Sequence, residues 1–140
     1  MNWPVAGGKA ATHQRIFLDL GRVEVLAEVW VNSHLMGTVW KEPYRIEITT
    51  AIGPGPVHIE VRVTTLWPNR LIGDEEFPPE NEYNPFGPIQ SLPEWYVTGK
   101  PKPGQRTTFC VWHSYKAGDP LLAGGLLGPV TLQIAVERKF

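Results

Sequence analysis

A single cysteine, Cys110, leaves no partner for an intrachain disulfide and excludes a cysteine-rich metal site. Within its apolar strand pattern it reads as an inert, buried thiol. An excess of one charge is also missing: 13 Lys and Arg stand against 14 Asp and Glu, a formal net charge of -1. No basic block occurs, so the footprint for a phosphate backbone is absent and nucleic acid is not expected as a partner. No run reaches the roughly 18 apolar residues that a membrane-crossing helix needs, so no membrane partner is expected. The opening residues Met-Asn-Trp-Pro-Val-Ala-Gly-Gly have neither a basic start nor an apolar stretch, and no signal peptide is expected in them. His13, His34, His58 and His113 are scattered without ligand spacing, so no transition metal is expected. No window carries a sustained 3.6-residue period with caps, and little helix is expected.

What the chain has is alternation and punctuation. Its 140 residues suffice for one domain with a real core. The 14 glycines and 14 prolines separate strongly patterned segments, which indicates turn-rich all-β structure rather than disorder. Residues 1–14 show no period and read as an arm. Arg15–Leu20 is a short strand ended by Gly21. Glu24–Val31 is a longer one, with Val25, Ala27, Val29 and Val31 on an apolar face. Its other face mixes Glu24 and Glu28 with Leu26 and Trp30, so part of it should also be covered. Asn32-Ser33-His34 turns the chain, and Leu35–Trp40 runs back as a hairpin. Tyr44–Thr49 alternates after Pro43, Gly53-Pro54-Gly55-Pro56 is a turn, and residues 57–65 form another strand. Arg106–His113 and Val130–Val136 read as the last two strands, the final one with Val130, Leu132, Ile134 and Val136 inward. About seven short strands with turns between them make an antiparallel β-sandwich over residues 15–140.

Regular pairing should stop at Trp67-Pro68, because proline has no N–H for the ladder. A long excursion follows, over about 66–104, rich in Pro, acids and aromatics. A loop of this length in a compact domain is usually functional or disordered. Sugar rings pack their C–H faces on aromatic rings and offer hydroxyls to polar side chains. The carbohydrate-binding candidates are therefore Trp67, Asn69, Arg70, Asp74, Tyr83, Trp95, Tyr96 and Trp112. Against this, Trp67 reads first as an anchor of the loop, Trp95 as anchor or contact alike, and Arg70 with Asp74 first as a charge-assisted pair that fixes it. Glycoside hydrolysis needs two acids flanking the sugar. The acids Asp74, Glu75, Glu76, Glu80, Glu82 and Glu94 show no convergence in sequence, so no catalytic residue is assigned. No cofactor is expected. A structural calcium, which sandwiches of this kind often carry, wants about six to eight oxygen ligands, and no spaced Asp/Asn loop is evident.

The segment LDLGRVEVLAEVWVNSHLMGTVWKEPYRIEIT resembles the galactose-binding-domain-like jelly roll, an accessory domain of many glycoside hydrolases. With LWPNRLIGDE, SLPEWYVTGKPKPGQRTTFCVWHSY and PLLAGGLLGPVTL added, residues 15–136 look like the C-terminal β-sandwich of glycoside hydrolase family 106, α-L-rhamnosidases of pectic rhamnogalacturonan. Ser33 replaces the usual Gly of that pattern, and Gly124 a more frequent Ser. The family's catalytic barrel has no counterpart here. The resemblance implies jelly-roll topology and a non-catalytic carbohydrate-binding or accessory role. Its implied partners are a glycan or plant cell-wall polysaccharide and a catalytic glycosidase domain, in an extracellular or periplasmic setting. The alternatives are a structural domain that docks on the barrel without glycan, or a fragment of an α-L-rhamnosidase. The family's first strand, upstream of residue 15, lacks its usual pattern, which leaves an edge to be covered by the arm or by a two-fold homodimer.

Overall fold

The computed structural model of the chain describes residues 14–136. The chain divides into two compact units, one of residues 1–65 with 123–140 and one of Leu66–Leu122.

The first unit is the all-β antiparallel sandwich. Its strands are β1 (Gln14–Asp19), β2 (Arg22–Glu24), β3 (Leu26–Val31), β4 (His34–Val39), β5 (Arg45–Glu47), β6 (Ile59–Thr64), β7 (Gly125–Gly128) and β8 (Thr131–Val136). One sheet has the order β5-β1-β8, another β4-β3-β6, and β2 pairs with β7. Every ladder is antiparallel. In β3 the alternation works as it reads: Ala27, Val29 and Val31 are fully buried, while Leu26, Glu28 and Trp30 are half-covered. The Arg62 guanidinium lies 4.6 Å over the Trp30 ring, so a cation covers part of that second face. Leu18, Val23 and Val39 from other strands, with Leu20 and Ile48 just past the ends of β1 and β5, complete the core. On β6 the odd positions Ile59, Val61 and Val63 pack against it, while Glu60, Arg62 and Thr64 face water.

Several sequence expectations need correction. The strand expected over Glu24–Val31 is two strands, because Val25 adopts a left-handed φ of 85° and breaks the ladder. Val25 therefore belongs to no strand and is only half-buried. The hairpin turn is Asn32-Ser33, both with positive φ, the primed geometry that matches strand twist. The connection expected over Gly118–Gly128 contributes β7 at its end. The apolar positions of the last strand do not point into a core: Val130, Leu132, Ile134 and Val136 are 48%, 38%, 57% and 59% exposed. β8 pairs with β1 in the β5-β1-β8 sheet and has no further strand beside it among the described residues. The expected arm gives up Gln14 to β1; the rest of it, and the question of what covers a first-strand edge, lie outside the described residues.

The second unit holds two short helices, α1 (Pro68–Asp74) and α2 (Glu94–Thr98). Pro68 that ends the strand also starts α1, since its fixed φ suits the first helical turn and its missing N–H costs nothing there. The segment 106–113, expected as a strand, is extended but not laddered. It touches the excursion through Ile89 N–H to Val111 O at 2.9 Å, His113 N–H to Gly87 O at 2.8 Å and an isolated Pro88–Trp112 bridge. The ladder stops there because the facing chain turns at Asn84–Gly87, where the Gly87 N–H goes to Asn84 O, and Pro85 in that turn has no N–H to offer. Among the described residues no helix is long and apolar enough to cross a membrane, and no three His, Cys, Asp or Glu side chains converge.

Candidate functional site

All eight sequence-selected residues fall in the Leu66–Leu122 unit, but in three different situations. Some are spent on holding the unit together. Asn69 clamps Leu122: its Nδ2 donates to Leu122 O and its Oδ1 accepts from Leu122 N, both at 2.8 Å. Asp74 is 1% exposed, and its Oδ2 accepts from Thr108 N at 2.6 Å and Thr108 Oγ1 at 2.7 Å. Burial alone would push the Asp74 carboxyl up. The hydrogen bonds from Thr108, with the charge of Arg70, outweigh it and hold the group below the usual carboxylate range. The expected Arg70–Asp74 ion pair is not formed: Asp74 is buried with Thr108 on its Oδ2, while Arg70 lies exposed. Arg70 is exposed and acts on Asp74 only through space.

A second group forms an aromatic cluster. Trp95 meets Phe109 edge-on at 5.1 Å and Tyr96 at 5.9 Å, and Tyr96 tilts over Phe109 at 5.1 Å. Trp95 is half-buried and serves as an anchor, whereas Tyr96 is 54% exposed. Trp67 is the N-cap of α1 and is 63% exposed. One turn on, Leu71 shares its face of the helix. Both line a cavity of 290 Å³ with Thr107, Thr108, Phe109 and Cys110.

The third group surrounds a narrow recess of about 40 Å³. Tyr83 and Trp112 line it together with Glu75, Asn81, Arg106 and His113. Tyr83 stacks on the His113 ring at 5.0 Å and donates its hydroxyl to Cys110 O at 3.0 Å. Arg106 forms a fork on Glu75 at 2.8 and 3.2 Å, and also donates to Pro78 O and Phe77 O. His113 Nε2 stands 3.1 Å from the second Glu75 oxygen. Trp112 is 54% exposed, and its indole edge rests against Gly87. A Cβ on Gly87 would lie 2.7 Å from the indole nitrogen, so only glycine admits the ring there. Asn81 Oδ1 is buried and has no hydrogen-bond partner.

Glu75, Asn81, Arg106 and His113 were not selected from the sequence as binding residues. Glu75 and Arg106 stand 31 positions apart across a Pro-rich segment, and nothing local marks them as partners. Glu80 belongs to the same framework. Its carboxylate accepts from Lys102 Nζ and from Arg106 N–H. Burial pushes this carboxyl up as well, but Lys102 and the Arg106 amide hold it below the usual range. Cys110, expected to be buried within a strand, is only half-buried and lies outside any strand.

No protein-family model matches the chain. It is similar to part of a "Putative beta-glucuronidase" of Formosa agariphila, 44% identical over 129 residues, covering 91% of this chain and 11% of that protein. The rhamnosidase structure from Novosphingobium sp. PP1Y superimposes with a TM-score of 0.62 at 36% identity, covering 86% of this chain and 9% of that one. The chain thus spans about a tenth of the length of each of these two proteins.

Proposed function

We propose that this chain is a non-catalytic accessory module of a plant-polysaccharide glycoside hydrolase, of rhamnogalacturonan type, and that it contacts glycan through the exposed rings of its second unit. The carrying observation is the asymmetry of coverage. Nearly the whole chain is matched in two glycosidases named for different sugars, yet it makes up only 11% and 9% of them. A segment common to enzymes of different named specificity suits an accessory role better than the choice of substrate.

The acids support the same reading. Hydrolysis needs one carboxylic acid and one carboxylate free to face the sugar. Asp74 is held by Thr108, Glu75 by Arg106 and His113, Glu80 by Lys102, and Glu94 by Lys100, which leaves the exposed Glu76 and Glu82 as the unengaged acids of the excursion. Trp67, Tyr96 and Trp112 offer partly open aromatic surface of the kind on which sugar C–H faces pack. Such a module would work where polysaccharide is met, outside the cytoplasm. Calorimetry and polysaccharide pull-down on the 140-residue chain, with rhamnogalacturonan, galactan and xylan, test the reading. Saturable binding to any of them is expected, and binding to none overturns it.

A second reading is favoured by one observation, the exposed apolar positions of β8. An edge strand with open Leu132, Ile134 and Val136 suits packing against another domain, or against a second copy in a two-fold dimer. Under that reading Ile134→Asp restores monomeric, soluble behaviour in light scattering and glycan binding is absent throughout.

A further inference from the structure

We propose that β8 is a pairing edge for a second copy of this chain, and that two copies join their β5-β1-β8 sheets across a two-fold axis at Ile134. The proposal rests on the second reading above for its surface and commits that surface to one partner. Three observations carry it.

The first is the direction of the β8 backbone. Ile16 O accepts from Ile48 N–H at 2.8 Å, and Leu20 N–H donates to Tyr44 O at 2.9 Å. In an antiparallel strand the N–H and C=O of one residue leave by the same edge, and successive residues use opposite edges. Ile16, Leu18 and Leu20 therefore turn their polar groups toward β5. Across the other edge of β1, Gln14 stands opposite Val136, Ile16 opposite Ile134 and Leu18 opposite Leu132. These are the pairs that share no hydrogen bonds, so Leu132, Ile134 and Val136 turn N–H and C=O to the outer edge of β8. No strand pairs with that edge among the described residues.

The second is the direction of the side chains. Opposed residues of a ladder share a face, so Leu132 and Ile134 lie on the face of Leu18 and Ile16. Leu18 is buried there, whereas Leu132, Ile134 and Val136 extend the face beyond the core and stay exposed. The open backbone groups and the open apolar stripe belong to the same residues. The opposite face is occupied: Gln133 donates to Asp19 Oδ2 at 2.9 Å and accepts from Arg45 at 3.2 Å.

The third is the contrast with the other edges. Folded proteins guard edge strands by shortness, charge or a bulge. β5 has three residues and carries Arg45 and Glu47. The β3–β4 ladder slips between Val29 and Trp30. β6 presents Glu60 and Arg62, and β2 and β7 have three and four residues. β8 has six residues, Thr-Leu-Gln-Ile-Ala-Val, with no charge, no proline and an unbroken register.

Such an edge is complementary to itself under a two-fold rotation. With Ile134 on the axis, Leu132 meets the partner's Val136 and Val136 meets the partner's Leu132. Every residue in these pairs turns its polar groups outward, so each pair exchanges both N–H···O bonds. The apolar side chains then continue on one face across both copies. Sliding one copy by a single residue would set outward groups against inward ones and mix the faces.

The test is light scattering and sedimentation of the full 140-residue chain over a range of concentrations, with amide exchange followed by NMR. The molar mass is expected to double as concentration rises. The Leu132, Ile134 and Val136 amides should then exchange at least about tenfold more slowly, while those of Gln133 and Ala135, which face β1, serve as the reference. Ile134→Pro removes an outward N–H and no bond to β1, so a folded monomer is expected. Ile134→Asp keeps that N–H and should separate the copies by placing two charges at the axis, which covers the case in which proline disturbs the strand. A monomer at every concentration overturns the proposal; the wider docking reading then falls as well only if the chain binds glycan. A dimer that survives both substitutions, with the edge amides unprotected, meets through another surface and overturns the proposal too.

Discussion

One carboxylate oxygen of Asp74 accepts both the backbone N–H and the side-chain hydroxyl of Thr108, at 2.6 and 2.7 Å, across 34 residues of sequence. This contact ties the end of α1 to the segment that lines the recess. It also removes Asp74 from the residues able to meet a ligand.

Asp74 should make the chain acid-sensitive. Its carboxyl is held below the usual range in the folded state, so its contribution is fully present above the unfolded value of about 3.9. That contribution is lost as pH falls through the lower folded value. Asp74→Asn is expected to lose about 1.5–3 kcal/mol at neutral pH, the range for hydrogen bonds to a charged group. In urea titrations from pH 7 downward, the gap to the unaltered chain should narrow in acid. A gap independent of pH would show that the charge is not what Thr108 holds.

Gly104 should tolerate no side chain. A Cβ there would stand 2.0 Å from Glu80 Oε1, at a φ of +84°. Gly99 has a similar φ of +69° but open space around it, which makes it the control. Gly99→Ala is expected to lose only the left-handed penalty of about 1–2 kcal/mol. Gly104→Ala should lose more, because the Glu80 carboxylate that receives Lys102 and the Arg106 amide must move. Thermal melts of the two variants compare them directly, and equal losses would remove Glu80 from the account.

Trp95 and Trp112 should separate into anchor and contact. Trp95 is half-buried against Phe109, and Trp95→Ala is expected to lose up to about 3–5 kcal/mol, the range for emptying a buried aromatic site. Trp112 is half-open, so Trp112→Ala should lower the melting temperature far less while weakening glycan binding. The reverse order of stabilities would exchange their roles.

No hydrolysis is expected from this chain alone. Release of nitrophenol from aryl α-L-rhamnoside and aryl β-D-glucuronide should match the buffer blank, since Glu75 is engaged by both Arg106 and His113. Turnover that disappeared in Glu75→Gln would contradict the accessory reading.

The sandwich core should respond as a packed interior. Leu18 is 1% exposed among Leu20, Val23, Val29 and Ile48. Leu18→Ala is expected to lose about 2–5 kcal/mol in chemical denaturation, the measured range for such truncations in close-packed cores. A loss below about 1 kcal/mol would place Leu18 in a loosely packed site.

The local rules were enough for most of the sandwich. Alternation over 15–20, 26–31 and 59–64 carried both the strands and their buried faces, since side chains of a strand must alternate. Asn32-Ser33 and the Gly-Pro run at 53–56 marked turns by their own backbone chemistry. The same rules failed where alternation had nothing to pack against. Val25 reads as a strand residue but is turned by a left-handed backbone, and Arg106–His113 reads as a strand but faces a segment that turns away after one bridge. Val130, Leu132, Ile134 and Val136 alternate as a buried face does, yet β8 leaves them exposed, because burial depends on what lies opposite and not on pattern. The second unit was legible only as composition. Its aromatic and acidic residues were visible in sequence, but which acid meets which base was not. Glu75 with Arg106, Asp74 with Thr108 and Glu80 with Lys102 are separated by 31, 34 and 22 residues, and no local period links them. Tertiary folding alone decided that Asn69 and Asp74 are structural, that Trp112 stays open, and that Asn81 keeps a buried acceptor without a partner.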